Sequence, residues 1–133
     1  LNHRLQAKYR EVEEKEVRHE AYRCDDAEIV FVSYGTSSRV VRNAIEDLRK
    51  GGVAAGLLRP ITLWPFPNNA FDELPESTRV LMSVEMSEGQ MIDDVRIAAN
   101  GRWPVGFHGR SGGMIPSKSD IIAAAKKLLQ EVK

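Results

Sequence analysis

From Glu28 onward, apolar residues alternate between short continuous runs and stretches spaced three and four positions apart. Ile29-Val30-Phe31-Val32 is β-branched and aromatic throughout, as a strand covered on both faces requires. It ends at Ser33-Tyr34-Gly35-Thr36-Ser37-Ser38, where glycine permits a sharp turn and a hydroxyl side chain can cap a helix. Val40, Val41, Ala44, Ile45 and Leu48 then share one helical face, which stops at Gly51-Gly52. Residues 53–58 read as a second strand, 69–74 as a short helix and 79–86 as a third strand. A further helix places Met91, Ile92, Val95, Ala98 and Ala99 along one side and ends at Asn100-Gly101. Residues 104–107 form a brief strand. The last helix opens at Ser117, with Asp120 three residues on as in a capping box, and its stripe is Ile121, Ile122, Ala125, Leu128, Leu129 and Val132.

Strands separated by single helices imply right-handed crossovers. The expected fold is therefore α/β, a three-layer α/β/α arrangement around a mainly parallel sheet of about five strands. The beginning of the chain differs. Leu1, Leu5, Tyr9 and Val12 fall at helical spacing, but residues 11–20 are almost wholly charged. We read residues 1–25 as an exposed connector helix from an upstream domain and residues 26–133 as the α/β domain. The charged run Glu13-Glu14-Lys15-Glu16 is a solvated face. A start at Leu1 rather than methionine suggests a piece of a longer polypeptide.

Composition narrows the partners. Nineteen basic residues balance 19 acidic ones, so the chain lacks the charge asymmetry that draws proteins to nucleic acid or anionic membrane. No apolar run approaches the roughly 18 residues needed to span a bilayer, and the charge-rich start is no secretory signal. The single cysteine, Cys24, fits a reducing cytoplasm and excludes a four-cysteine metal or iron–sulfur site.

In open α/β sheets, functional groups gather beyond the carboxyl ends of the strands. That rule selects residues 35–38, 59–67, 85–90 and 108–113, and brings Arg59, Glu85, Glu88, His108 and Arg110 toward one edge. A mixed-charge cluster there suits salt-bridged docking better than catalysis. The segment Arg59-Pro60-Ile61-Thr62-Leu63-Trp64-Pro65-Phe66-Pro67 carries three prolines, which rule out helix and most sheet pairing. It reads as a stiff arm. Its rings, Trp64 and Phe66, either contact another surface or fold back onto their own core.

Catalytic readings fail one by one. Gly109-Arg110-Ser111-Gly112-Gly113 matches the G-x-S-x-G elbow, yet Met114-Ile115-Pro116 intervene before the helix and every histidine (His3, His19, His108) precedes Ser111. Gly112 and Gly113 could offer amides to a phosphate, but the P-loop frame and its lysine are missing, as are the spaced glycines of a dinucleotide fingerprint near Gly35. Cys24 beside Asp25-Asp26 is a poor nucleophile. Asp93 and Asp94 point in different directions, and Glu85 with Glu88 lacks further metal ligands. No catalytic residue and no metal ligand is assigned.

The proline arm, with Glu85-Met86-Ser87-Glu88-Gly89-Gln90-Met91 and Gly106-Phe107-His108-Gly109-Arg110-Ser111-Gly112-Gly113, resembles the C-terminal part of the alpha subunit of 2-oxoacid:ferredoxin oxidoreductases, of the 2-oxoglutarate and 2-oxoisovalerate types. That part is itself transketolase C-terminal-domain-like, and the resemblance covers approximately residues 26–133. It implies a cytoplasmic enzyme of anaerobic metabolism that oxidatively decarboxylates a 2-oxoacid on thiamine diphosphate, passes the acyl group to coenzyme A and sends electrons through iron–sulfur clusters to ferredoxin. Thiamine diphosphate, magnesium, iron–sulfur clusters and coenzyme A belong to the full enzyme, with none held by this domain itself, although edge-loop contact with coenzyme A stays open. The domain's implied role is assembly with the rest of the alpha subunit and with the thiamine-binding beta subunit. The resemblance places Arg59, Trp64, Phe66 and Gln90 at the interface; the edge cluster adds Glu85, His108 and Arg110. A transketolase, a 2-oxoacid dehydrogenase beta chain and a free-standing nucleotide-binding α/β protein remain the alternatives.

Overall fold

A computed structural model describes residues 19–61, 66–86, 91–109 and 116–132. The strands are β1 (His19–Tyr22), β2 (Ile29–Ser33), β3 (Ala55–Pro60), β4 (Val80–Glu85) and β5 (Val105–Gly109). The helices are α1 (Thr36–Lys50), α2 (Ile92–Ala99) and α3 (Lys118–Glu131), with a 3-10 turn over Asn68–Glu73. The sheet order is β1-β3-β2-β4-β5. All neighbours are parallel except β1, which runs antiparallel to β3.

Two apolar clusters cover the two faces of the sheet. On one, Ile29, Phe31, Leu57, Val80 and Val84 pack with Val41, Ala44, Ile45 and Leu48 of α1 and with Ile121 and Ala125 of α3. On the other, Val30, Val32, Leu58 and Leu81 pack with Val95, Ala98 and Ala99 of α2 and with Phe66 and Phe71. The period-two alternation within β2 thus feeds both layers. Each fully buried side chain such as Phe31 contributes about 1.5–3 kcal/mol to this closure. The mainly parallel, three-layer expectation holds.

Three local expectations change. Residues 19–22, expected within a connector helix, form a strand whose register runs from His19↔Pro60 to Tyr22↔Leu57. Backbone pairing to an open strand edge decides that segment, since its side chains are mostly exposed. The sheet therefore begins upstream of the boundary expected at residues 25 and 26. Pro60, expected to end pairing, closes β3 instead: as the last residue of its strand it needs no further ladder donor. The third change concerns Phe66, which is buried with its ring 5.9 Å from that of Phe71. It is a core residue, not part of an outward arm. Leu1, Leu5, Tyr9, Val12 and the charged run at 13–16 lie outside the described residues.

Arg49 stitches the β1–β2 turn to β3. Its Nε donates to the Ala55 carbonyl at 2.8 Å, its Nη2 donates to the Arg23 carbonyl at 2.7 Å, and the guanidinium grips both oxygens of Asp26. The turn needs this hold because Arg23 sits at φ 55, a left-handed conformation that side-chain-bearing residues rarely adopt. Gly56 allows the same turn to lie close: a Cβ there would stand 2.8 Å from the Arg23 carbonyl oxygen. We expect Gly56→Ala to destabilise the chain by about 1–3 kcal/mol in urea unfolding, since the obstacle is backbone and cannot rotate away. A midpoint equal to wild type would show that the turn is free to shift.

Ion pairs also set an acid limit. Hydrogen bonds from Arg49 to Asp26, from Arg23 to Glu46 and from Lys118 to Asp47 hold these carboxyls below their ordinary values of 3.8, 4.5 and 3.8. Groups with depressed folded-state values stabilise above the unfolded value and lose that contribution as pH falls through the folded one. Stability should therefore be flat from neutrality to about pH 5 and decline below it. Equal unfolding midpoints at pH 3 and pH 6 would contradict this.

Candidate functional site

The carboxyl ends of the strands carry the polar groups, as the topology requires, but the sheet separates them. Arg59 shares the α1 face with Leu57, whereas the Glu85 carboxylate turns to the α2 face, and His108 pairs in register with Val84 near the far edge. The expected single cluster of mixed charge is therefore not formed among the described members. Trp64, Gln90, Arg110, Glu88, Ser111, Gly112 and Gly113 lie outside the described residues.

Glu85 is fully buried, not a docking group on the rim. Its Oε1 accepts a hydrogen bond from the Met91 amide at 2.6 Å, and the Ser83 hydroxyl lies 3.4 Å from Oε2. Met91 is the residue that opens α2, so one carboxylate ties the end of β4 to the start of the next helix. Both ends of the Glu85–Met91 motif are thereby fixed. A carboxylate accepting a backbone amide is a strong hydrogen bond, and burial makes the loss of its acceptor costly. Tyr34 lies close on the β2 side; burial, and secondarily the charge of Glu85, push its hydroxyl pKa up.

The turn after β2 is pinned in a related way. Ser33 donates to the Val84 carbonyl at 3.0 Å and its Oγ lies 2.8 Å from Ser37 Oγ, while Ser37 reaches the Tyr34 carbonyl at 2.9 Å. Two hydroxyl protons are shared among three contacts. These buried serines bind the β2 and β4 ends to each other and leave little freedom for nucleophilic work. Gly35 precedes α1 with φ 63, a conformation suited to glycine.

Cys24 is buried, donates toward the Leu57 carbonyl at 3.2 Å, and burial raises its pKa above the ordinary thiol value. Among the described residues, no group of three His, Cys, Asp or Glu side chains could hold a metal. Those residues also include no helix long and apolar enough to cross a membrane.

Sequence reasoning missed one grouping. Glu20 of β1 accepts hydrogen bonds from Arg42 of α1, at 3.0 Å, and from Arg59 of β3. Arg39 lies one turn before Arg42 and borders the same cavity. The spacing of Arg39 and Arg42, on the side of α1 away from its apolar face, was the available signal. Assigning Glu20 to a helix concealed its meeting with Arg59.

The fold and these contacts define an α/β module whose buried polar groups fasten strand ends to helix starts. Comparison with known proteins makes this particular. Residues 27–121 match the family model for pyruvate:ferredoxin oxidoreductase core domain II, and the chain belongs to that family. It is 47% identical, over 96% of its length and 36% of the relative's, to ketoisovalerate oxidoreductase subunit VorB of Methanothermobacter thermautotrophicus. With 2-oxoglutarate synthase subunit KorA of Methanothermobacter marburgensis it shares 41% identity over 74% of this chain and 26% of that one. The chain thus spans between about a quarter and a little over a third of the length of these curated relatives. Among solved structures, a 2-oxoglutarate:ferredoxin oxidoreductase from Magnetococcus marinus superposes with a TM-score of 0.74 at 20% identity, covering 99% of this chain and 23% of that one. A split-gene transketolase matches at 0.70 and 16% identity, over 87% of this chain and 42% of the other. Both share the fold.

Replacing Glu85 tests its role as a clamp. Glu85→Ala should lower stability by about 1–3 kcal/mol, because the buried Met91 amide loses its acceptor. Glu85→Gln, which keeps an acceptor oxygen, should lose less. Equal losses from both variants in denaturant melts would show that the negative charge, not the hydrogen bond, matters.

Proposed function

We propose that this chain is the non-catalytic assembly domain of a thiamine-diphosphate-dependent 2-oxoacid:ferredoxin oxidoreductase. The whole enzyme would oxidatively decarboxylate a 2-oxoacid to its acyl-coenzyme A thioester, with electrons passing to ferredoxin. The observation that carries this reading is the match of residues 27–121 to the family domain, together with near full-length similarity of this chain to the ketoisovalerate subunit. Identity of 47% with that subunit, against 41% with the 2-oxoglutarate synthase subunit, favours ketoisovalerate as the 2-oxoacid.

The residues support a bracing role. Glu85, Ser33 and Ser37 are committed to internal hydrogen bonds, so the polar groups at these strand ends hold the fold. One cysteine in the whole sequence cannot by itself hold an iron–sulfur cluster, so the clusters fall to other parts of the assembly; thiamine diphosphate, magnesium and coenzyme A are assigned there by the family resemblance. β5 ends the sheet and exposes Phe107 at 40%, while Ile97 of α2 is 69% exposed. An edge strand beside exposed apolar side chains is a surface that a neighbouring domain can cover. Partners are the remainder of the alpha subunit and the thiamine-binding beta subunit, in the cytoplasm. Trp64, Gln90, His108 and Arg110 are the proposed contact residues, with Arg59 at the margin; Phe66 and Glu85 serve from inside.

The test is reconstitution in trans. The chain, tagged, should capture the separately expressed remainder of its alpha subunit. Trp64→Ala should weaken capture by about tenfold or more, the scale of an aromatic hot spot, with an unchanged melting curve. A lower melting temperature with normal capture would make Trp64 a core residue. Turnover of a 2-oxoacid by the chain alone would overturn the assembly reading.

A further inference from the structure

The cavity between α1 and the β3–β1 edge is a feature that bracing does not explain. It measures about 540 Å³ and is lined by Glu20, Gly35, Thr36, Ser38, Arg39, Arg42 and Arg59. Small-molecule sites typically occupy roughly 300–1,000 Å³, so the space suits a metabolite or its charged end. Its charge is lopsided. Three guanidinium groups face one carboxylate, and Glu20 is divided between Arg42 and Arg59. Arg39 is exposed and has no ion-pair partner among the described residues. The Nε of Arg59 is buried without a hydrogen-bond partner. An orphaned guanidinium N–H is costly, and such donors are normally satisfied by an acceptor.

The neighbouring helix terminus adds to this. α1 begins after Gly35 with no side-chain cap and no acidic residue in its first turn, so its amide dipoles present uncompensated positive charge where Gly35, Thr36 and Ser38 border the cavity. The hydroxyl of Ser38 is engaged with the Gly35 carbonyl at 2.6 Å, leaving the guanidinium groups, the Thr36 hydroxyl and backbone amides as the donors on offer. Arginine forks match the oxygens of phosphate in pairs. An apolar metabolite finds little here to bind, and a cation meets net repulsion.

We propose that Arg39, Arg42 and Arg59, with the opening turn of α1, bind the phosphate groups of a small phosphorylated molecule. Two functions divide between the arginines. Arg42 and Arg59 are paired with Glu20 until an anion displaces its carboxylate, while the side chain of Arg39 closes on the ligand. Arg42 is steadied further by lying 5.0 Å from the Tyr22 ring centroid.

Titration calorimetry of the chain at low salt tests the site, with pyrophosphate and ADP as probes. Saturable one-to-one binding of pyrophosphate is expected, weakened about tenfold by Arg39→Ala, a change equal to losing one charged contact. Lys50→Ala, at the exposed far end of α1, should leave binding unchanged. Glu20→Gln should tighten binding about threefold by releasing two guanidinium groups from a competing carboxylate, with circular dichroism confirming that the variant is folded. If ADP binds more tightly than pyrophosphate, the site belongs to a nucleotide-like molecule; equal affinities assign it to phosphate groups alone, and both results keep the arginine site. Absence of saturable binding by either probe overturns the proposal. So does equal weakening by Arg39→Ala and Lys50→Ala, which would indicate diffuse charge. Because none of these readings involves subunit capture, the outcome is independent of the assembly role.

Discussion

Pairing of β2 with β3 on one side and β4 on the other, all three parallel, constrains everything else in this chain. A parallel strand in the middle of a sheet has no solvent face, so each β2 residue must be apolar or internally hydrogen-bonded. Ile29, Val30, Phe31 and Val32 meet the first condition and Ser33 the second. Parallel connection then demands a crossover after each strand. α1 and α3 cover one face, and α2 with the 3-10 turn covers the other. The carboxyl ends of β2, β3, β4 and β5 necessarily share one rim, where the loops that follow these four strands begin, while antiparallel β1 ends at the opposite rim. Arg59, Glu85 and His108 stand there for that reason.

What those polar residues do depends on which way the pleat turns them. Glu85 faces inward and spends its carboxylate on the Met91 amide. Arg59, on the opposite face, meets Glu20 and keeps one buried Nε without an acceptor. Side by side in the sequence-based reading, these two residues formed one cluster of mixed charge. A sheet is an insulating layer between them. Their tasks diverge accordingly, one holding a loop and the other contributing to a basic cavity.

The interior of this fold was legible in the sequence because burial imposes patterns. Val41, Ala44, Ile45 and Leu48 repeat at helical spacing because they share a face of α1, and Ser117 precedes α3 because its hydroxyl accepts the Asp120 amide. β1 escaped because His19–Tyr22 are held by backbone hydrogen bonds to β3 while their side chains remain mostly outside. No alternation is demanded of a strand whose flanks are wet. Phe66 was ambiguous for a different reason: an aromatic ring after a proline gains similarly from its own core or from a partner, and only the position of Phe71 decides. Arg39 and Arg42 carried no signal stronger than exposed helical arginines usually carry. Their meaning comes from β1 and β3 arriving beside them.

The two polar sites differ in how strongly the fold specifies them. Burying the Glu85 carboxylate is tolerable only while its hydrogen bonds are intact, so its geometry is enforced by the cost of exposing a charge to an apolar interior. The arginine cavity faces water, where ion pairs such as Arg42–Glu20 contribute about 0–1 kcal/mol and are easily exchanged. Rearranging it costs the fold little. A binding surface benefits from that economy, because an incoming anion can displace a carboxylate without disturbing the core beneath. Helix α1 therefore sets the position of Arg42 and the end of β3 that of Arg59, and a weak, replaceable pair at Glu20 leaves those positions open to another acceptor.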